Sequence, residues 1–453
     1  MELGIARLVR IVASASLGII CLAATVHAGG FQNQNAVGGV MIDASGVLRT
    51  ATVDERLDAA NIMRGLVDQA DGDMAKKTEL RMVSLKRLQA AIVESSKTGD
   101  AMPDEILLMA GLQRVEYLFV DKENNDIVIA GPAEPWKLLD DGSVVGTQTG
   151  GATIRLEDLA VAMGSVEQAR REAISCSIEP TEEGRRRLQQ LMRKVRLRPG
   201  QNPAVYEASM KEAFGPQTIR LTGIPTDSRY ARTLVAADYE MKRIAMDLVK
   251  SPVPELPSYL QMAKNGRHTA AQNPRWWMAC DYDALTRSED GLSWRITGQG
   301  VKTLTEQDEI GKDGSAKGTG RKDKLAEQWA GKMTENYAGL SEKVTVFRDL
   351  RNIMDLTVIA TLISQERLDE KAGLDLSVLR GAEHIETGGF QVPKAVSPQC
   401  SFVRGRAGWV VTTSGGVDIN AFGVVQKQKT DDSVGETRRT ALASTDKQWW
   451  WDK

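Results

Sequence analysis

Two adjacent tryptophans followed by two aspartates form the first candidate site in this sequence. Arg275, Trp276 and Trp277 precede Asp281 and Asp283. Successive side chains of a strand point to opposite faces, so only one of the two tryptophans joins the core through a given sheet face. The other is available to stack on a sugar ring or on a partner side chain. The two aspartates would lie about 7 Å apart on one face of a strand, as a carboxyl pair for acid–base work on a glycan could.

A structural interpretation of the same segment stays open beside this one. The tryptophans would then fill the core and the end of a hairpin, and the aspartates would be solvated at the surface.

Asp227 and Arg229 mark a second candidate, in the loop formed by residues 223–229. This loop joins a predicted strand to a predicted helix, where free backbone N–H groups and the helix dipole favour an anionic ligand. Arg229 could add a bidentate contact to such an anion. The alternative is that Asp227 or Thr226 only caps the helix.

The chemistry that the sequence lacks is equally informative. Downstream of residue 28 the chain keeps only His268 and His384, and neither lies in an H-E-x-x-H pattern. The sequence contains no phosphate-binding G-x-x-x-x-G-K-[ST] motif and no G-x-S-x-G nucleophile motif. We therefore predict no metal site and no cofactor, and we assign no catalytic residue.

Charge gives little support for nucleic-acid binding. The chain has 58 basic and 60 acidic residues, a net charge of −2, so no global basic excess is present. A local excess does occur, because seven basic residues fall within residues 185–198. This run could contact an anionic polymer or lipid headgroups, or it could be a solvated helix face paired with nearby acids.

The N-terminal residues predict export. Arg7 and Arg10 precede an apolar stretch from Ile11 to about Ala24, and Val26 and Ala28 then supply the small side chains of a cleavage site. This order is typical of a signal peptide spanning residues 1–28, with cleavage before Gly29. An uncleaved anchor is the alternative, and no later apolar stretch predicts a membrane span. The expected location is periplasmic or secreted.

Three cysteines remain after the predicted cleavage: Cys176, Cys280 and Cys400. Because three is an odd number, at most one internal disulfide can form. The sequence leaves open three buried thiols, or a single bridge that joins Cys280 to either of the others.

Hydrophobic periodicity predicts an α+β fold. It has a helical N-terminal segment, a mixed α/β centre, and C-terminal β-hairpins with two long helices. The second of these helices is apolar widely enough between Ile353 and Ile363 to be central in a core. Turn signals predict hairpins around residues 121–126, 289–291 and 414–416. The expected parts after the signal peptide are a helical segment (29–113), an α/β domain (114–250), a hairpin-and-helix domain (251–425) and a disordered tail (426–453).

Two local details refine this expectation. Thr181 precedes a run with acids in its first turn, so it is the expected N-cap of a helix. The tail is polar over residues 426–447 but ends in Trp449, Trp450 and Trp451. Three tryptophans are too apolar for a free tail, so we expect them to dock on the protein, a partner or a membrane interface.

Several motifs in a fixed order resemble an uncharacterised family of exported bacterial proteins, typical of planctomycetes, known as domain of unknown function 1598. The resemblance covers about residues 80–425. Its motifs are residues 176–184 (Cys176-Ser177-Ile178-Glu179-Pro180 and onward), 215–217, 238–242, 274–277, 288–292, 298–302, 350–356 and 414–417. The resemblance implies export and carries over no catalytic residue.

Together these features predict a non-catalytic role in binding or organising the cell envelope. The expected partner is an envelope polysaccharide or protein, and no nucleic acid. The alternative is a glycan-active hydrolase that uses a carboxylate pair such as Asp281 and Asp283.

Overall fold

The computed structural model describes residues 36–452, without residues 38, 44, 65–66, 99–100, 196–202, 266–272, 311–315, 319–322, 382, 406–407 and 444–447. The predicted signal peptide, His268 and the last part of the basic run lie outside the described residues. Among the described residues no helix has the length and apolar character needed to cross a membrane.

The described residues form fifteen α-helices and twenty-one strands. The helices are α1 (Val53–Arg64), α2 (Leu85–Thr98), α3 (Asp104–Leu107), α4 (Leu156–Arg171), α5 (Glu182–Lys194), α6 (Glu207–Phe214), α7 (Arg229–Ala245), α8 (Tyr259–Asn265), α9 (Lys324–Glu335), α10 (Tyr337–Lys343), α11 (Thr345–Gln365), α12 (Leu368–Ala372), α13 (Ser377–Arg380), α14 (Ala421–Val425) and α15 (Ser433–Leu442). The strands are β1 (Ala36–Val37), β2 (Val40–Ile42), β3 (Val47–Thr50), β4 (Thr78–Ser84), β5 (Tyr117–Asp121), β6 (Asp126–Ala133), β7 (Trp136–Leu138), β8 (Val144–Gly146), β9 (Ile174–Pro180), β10 (Gln217–Thr222), β11 (Pro274–Asp281), β12 (Leu285–Arg287), β13 (Ser293–Arg295), β14 (Gly300–Ile310), β15 (Ala316–Gly318), β16 (Ala395–Val396), β17 (Cys400–Gly405), β18 (Gly408–Thr412), β19 (Ser414–Ile419), β20 (Gln428–Thr430) and β21 (Trp450–Asp452). This composition is the predicted α+β class.

A ten-stranded sheet, called the large sheet below, has the order β1-β2-β3-β16-β10-β9-β19-β11-β14-β15. Most neighbours are antiparallel, and the pairs β3–β16 and β11–β19 are parallel. Burial alternates residue by residue along β9, with Cys176 and Ile178 buried and Ser175 and Ser177 partly exposed. Such alternation is typical of a sheet with one face on the core and one face in water.

The buried face of the large sheet packs against helices. The Lys242 ammonium of α7 donates to the Ile178 carbonyl of β9 at 3.3 Å, which places α7 on this face. The Trp276 and Trp329 rings, from β11 and α9, lie 4.7 Å apart between centroids. The opposite face of the sheet carries partly exposed residues of the central strands, such as Ser175 and Ser177 of β9.

A second sheet of seven strands, the small sheet, has the order β20-β12-β13-β5-β6-β4-β21. The predicted hairpins around residues 121–126 and 289–291 are confirmed, as the pairs β5–β6 and β12–β13.

The third predicted hairpin, around residues 414–416, is wrong. β18 pairs with β17, whereas β19 runs between β9 and β11 in the large sheet. Gly415 explains the difference, because it has φ +125° and a Cβ there would lie 1.8 Å from the Trp276 carbonyl oxygen. The glycines serve close approach between strands and not a tight turn.

The prediction of a disordered tail is also wrong for the described part of residues 426–453. Residues 428–430 form β20, residues 433–442 form α15, and β21 pairs antiparallel with β4. Val434 and Ala441 are buried in α15, and Trp451 packs with Met82 of the small sheet. A few well-spaced apolar residues thus hold an otherwise polar segment in place. The terminal tryptophans dock on the protein itself.

Helix α11 lies at the centre of the core, as predicted. Its residues from Ile353 to Ile363 are all buried, and they include Asp355. The preceding predicted helix is divided at Asn336 into α9 and α10. The predicted domain boundaries stay predictions, although both sheets combine strands from distant parts of the sequence.

Candidate functional site

Trp276 and Trp277 lie on opposite faces of β11, as strand geometry requires. Trp276 is 0% exposed, and its indole N–H donates to the Ala326 carbonyl at 3.2 Å. Trp277 is partly exposed on the other face. The core therefore takes one tryptophan and leaves the second at the surface.

The solvent-side residues of the central strands form a continuous surface, called the open face below. Their side chains are partly or fully exposed, and the registers of the paired strands place all of them on the same side of the large sheet. These residues are Ser175, Ser177, Glu179, Thr218, Arg220, Thr222, Arg275, Trp277, Ala279, Asp281, Lys302, Leu304, Glu306 and Asp418.

Small and apolar neighbours surround Trp277 on the open face. Leu304 lies directly opposite it on β14, and Gly416 lies opposite it on β19. Leu304 is 46% exposed, which is unusual for leucine on a sheet surface. Ala279, whose side chain is only a methyl group, is the next residue on this face of β11. The result is an exposed apolar strip centred on Trp277.

Charged pairs border this strip at both ends. The Arg275 guanidinium lies 4.7 Å from the centre of the Trp277 ring, and its Nη2 is 2.8 Å from Glu179 Oε1. At the other end Lys302 Nζ is 3.5 Å from Asp281 Oδ1. An aromatic ring flanked by hydrogen-bonding groups can stack on one sugar while the polar groups contact hydroxyls.

The two aspartates do not form the regular pair that an extended strand would give. β11 ends at Asp281, so Asp283 lies beyond the strand, where it is exposed. Its backbone N–H donates to the Thr297 carbonyl at 3.1 Å. Asp281 is partly exposed and lies beside Lys302.

Asp227 has a structural role in the second predicted site. The N-cap of α7 is Ser228, whose hydroxyl accepts from the Ala231 N–H at 3.1 Å, so neither Thr226 nor Asp227 is the cap. The Asp227 carbonyl instead accepts from the Phe390 N–H at 2.9 Å, which attaches the 388–390 segment to this loop.

Arg229 is buried, and three carboxylates surround it. It pairs with Asp158, with Asp349 at 2.8 Å, and with Glu157 at 3.9 Å. These residues join α7 to α4 and α11. Because its charge is already balanced, Arg229 is not positioned for the bidentate contact to an anion that the sequence suggested.

Burial shifts the protonation of the carboxyls around Arg229. The pKa of Glu157 is raised to about 7, mainly by burial and also by the nearby negative charge of Asp158. The pKa of Asp158 is also raised, mainly because the side chain is buried. Raised pKa values occur both at functional sites and in structural ion clusters.

The comparison with protein families identifies the segment that contains Asp227 and Arg229. Residues 176–259 match the family model DUF1598, a protein of unknown function. This segment is therefore a domain of unknown function. Neither curated proteins nor solved structures show a match to the chain.

The DUF1598 segment extends from β9 to the start of α8, so it supplies two strands of the open face and the helix beneath them. Within it Asp238 and Lys242 form a fully buried ion pair, with Nζ and Oδ2 2.7 Å apart. Burial raises the pKa of Asp238. Since Lys242 also donates to Ile178, this pair positions α7 against β9.

Cys176, Cys280 and Cys400 are all free thiols. Burial raises the pKa of both Cys280 and Cys400 to about 12, so neither is a ready nucleophile. In the part of the chain that the structure describes, no group of three or more His, Cys, Asp or Glu residues could hold a metal ion.

Sequence reasoning found Trp277 and Arg275 but missed their neighbours on the open face. Leu304 carried a detectable signal, because it lies three residues after Val301 in one strand, so the two apolar side chains cannot face the same side of the sheet. Gly416 and Ser177 carried none, because only strand pairing brings them near Trp277.

Proposed function

We propose that this chain is an exported, non-catalytic protein that binds a glycan of the cell envelope on the open face, with Trp277 stacking on a sugar ring. The observation that carries the proposal is the position of Trp277 at the surface, between the exposed Leu304 and the side-chain-free Gly416.

The free-energy cost of leaving Trp277 and Leu304 in contact with water favours a binding function for these residues. A tryptophan contributes more stability when it is buried, as Trp276 is, than when it is left in contact with water. Exposed aromatic and leucine side chains that adjoin each other mark binding surfaces more often than scattered ones do.

The polar groups at the borders of the strip suit a glycan better than an apolar peptide. Glu179 and Asp281 accept hydrogen bonds, Arg275 and Lys302 donate them, and Ser177 can do both. Sugar hydroxyls need both kinds of partner.

A pull-down with insoluble cell-wall polysaccharide tests the proposal. Trp277→Ala should lower the apparent affinity at least tenfold, equivalent to about 1.4 kcal/mol. Arg439→Ala is the control, because Arg439 is an exposed arginine of α15 that lies outside the open face, and this variant should bind as the wild type does. Wild-type binding by folded Trp277→Ala protein would refute the proposal.

The same samples test the hydrolase alternative. Release of new reducing ends from the polysaccharide by the wild type, and its loss in Asp281→Asn protein, would replace the binding proposal with an enzymatic one.

Export is tested separately from binding. Mass spectrometry of the protein purified from the cell envelope should find an N-terminus at Gly29. Recovery of the intact chain from the cytosol would refute export and leave the glycan measurement unaffected.

A further inference from the structure

Three charged residues follow one another along a single stripe of α11. Arg348, Arg351 and Asp355 are spaced by three and four positions, so their side chains leave the same side of the helix. Two arginines three residues apart repel each other unless negative charge lies nearby. The positive charges of Arg348 and Arg351 therefore need nearby anions.

The carboxylate of the stripe already has two partners. Asp355 is 0% exposed, its Oδ2 accepts from Arg114 Nε at 3.0 Å, and its Oδ1 accepts from the Tyr282 hydroxyl at 2.7 Å. Arg114 alone balances its charge.

Arg348 and Arg351 lack such partners. The Nε atom of each is buried without a hydrogen bond, and neither guanidinium forms an ion pair with any described residue. Besides Asp355, Glu116 acts electrostatically on Arg114, and the exposed Glu342 acts on Arg348. Three guanidinium groups thus interact electrostatically with one buried carboxylate, and only Arg114 forms a hydrogen bond to it.

The pKa values of Arg348 and Arg351 are both lowered, as expected where positive charge is in excess. The pKa of Arg348 is lowered to about 10, mainly by burial and also by the positive charge of the neighbouring Arg351. The pKa of Arg351 is also lowered, again mainly by burial. A bound anion would relieve both effects.

Two glycines provide the space for these side chains. A Cβ on Gly151 would lie 2.6 Å from the Cζ atom of Arg348, and a Cβ on Gly300 would lie 2.7 Å from the Cγ atom of Arg351. Gly300 also has φ +92°. Any larger residue at either position would displace an arginine.

We propose that Arg348 and Arg351 bind a phosphate-class oxyanion. Guanidinium groups hold phosphate oxygens through paired N–H donors, and both arginines remain partly exposed, so an anion from solvent can reach them. This site is separate from the open face and does not depend on glycan binding.

Isothermal titration calorimetry of the purified chain with inorganic phosphate tests the proposal, with sodium chloride at matched ionic strength as the reference. Phosphate should bind and chloride should not. Arg348→Gln and Arg351→Gln should each weaken phosphate binding at least tenfold. The matched control Arg439→Gln removes an exposed arginine on α15 and should change nothing.

Thermal unfolding separates a binding role from a structural one. If the two arginines serve an anion, the double glutamine variant should unfold at a higher temperature than the wild type without phosphate, and phosphate should no longer raise its Tm. A double variant that is less stable and still binds phosphate would overturn the proposal, as would a wild type that does not bind.

Glycerol phosphate identifies the source of the anion. Tighter binding of this ester than of inorganic phosphate would assign the site to a phosphoryl group on a larger molecule, and the reverse would assign it to free phosphate. If neither compound binds, the proposal fails. Trp277→Ala should leave all of these values unchanged, so the two proposals can fail independently.

Discussion

Arg81 and Asp452 form a two-pronged ion pair that fastens β21 to the small sheet. Arg81 Nε and Nη2 donate to the two carboxylate oxygens of Asp452 at 2.7 and 2.9 Å. Arg81 is 0% exposed, and its guanidinium lies 4.6 Å from the centre of the Trp450 ring. The buried Arg81 of β4 thus contacts both Asp452 and Trp450 of the last strand, and it holds that strand on the small sheet.

Asp452→Ala should lower the free energy of unfolding by about 3 kcal/mol, because it leaves the buried Arg81 charge without its carboxylate. Urea denaturation measures the loss. Asp432→Ala is the control, since it breaks an exposed pair with Arg439 and should cost less than about 1 kcal/mol. Equal losses in the two variants would contradict the role of Arg81.

The adjacent tryptophans of β11 should differ sharply in their effect on stability. Trp276→Ala creates a cavity against Trp329 and should cost about 3–5 kcal/mol. Trp277→Ala removes a surface contact with Arg275 and should cost about 1 kcal/mol. Urea denaturation of both variants checks this, and a larger loss in Trp277→Ala would show that the open face is covered in solution.

The buried pair Asp238–Lys242 should matter to the DUF1598 segment mainly as a pair. Lys242→Met should cost about 3–5 kcal/mol, because it leaves a buried carboxyl without its cation, whereas Asp238→Leu combined with Lys242→Met should recover most of that loss.

A control for this experiment exists in α6, where Glu207 and Lys211 have the same spacing in an exposed pair 2.5 Å apart. Lys211→Met should cost no more than about 0.5 kcal/mol. If the double variant at the buried positions is no more stable than Lys242→Met, the pair does not act as a unit.

Glu157 should make stability depend on pH. Its pKa in the folded chain is about 7, above the value near 4.3 that a glutamate has when unfolded. Between these values the folded chain binds more protons than the unfolded chain, so the free energy of unfolding falls as the pH rises through this window.

In Glu157→Gln protein the free energy of unfolding should fall less steeply as the pH rises. Urea denaturation at several pH values between about 4 and 8 measures this slope. Asp158 should contribute in the same direction, because its pKa is also raised. Glu167→Gln, an exposed position on the same helix, should keep the slope of the wild type. An unchanged slope in Glu157→Gln would contradict the predicted linkage.

Local sequence patterns were sufficient to predict several elements of the secondary structure. Thr181 is the N-cap of α5, and its hydroxyl accepts from the Gly184 N–H as the sequence predicted. The hairpin between β12 and β13 formed because its turn residues and its strands are adjacent in the chain. The hairpin expected around Gly415 failed because the same residue types also permit close packing between distant strands.

By itself the sequence determined the α+β class, the opposite orientation of Trp276 and Trp277, and the central place of α11. Each of these follows from periodicity or capping over a few neighbouring residues. Only the tertiary structure decided that Arg229 is enclosed by Asp158 and Asp349, that Leu304 and Gly416 flank Trp277, and that the last tryptophans pack on β4. These contacts join segments that are far apart in the chain. Strand pairing and helix packing bring those segments together, and no local pattern encodes either process.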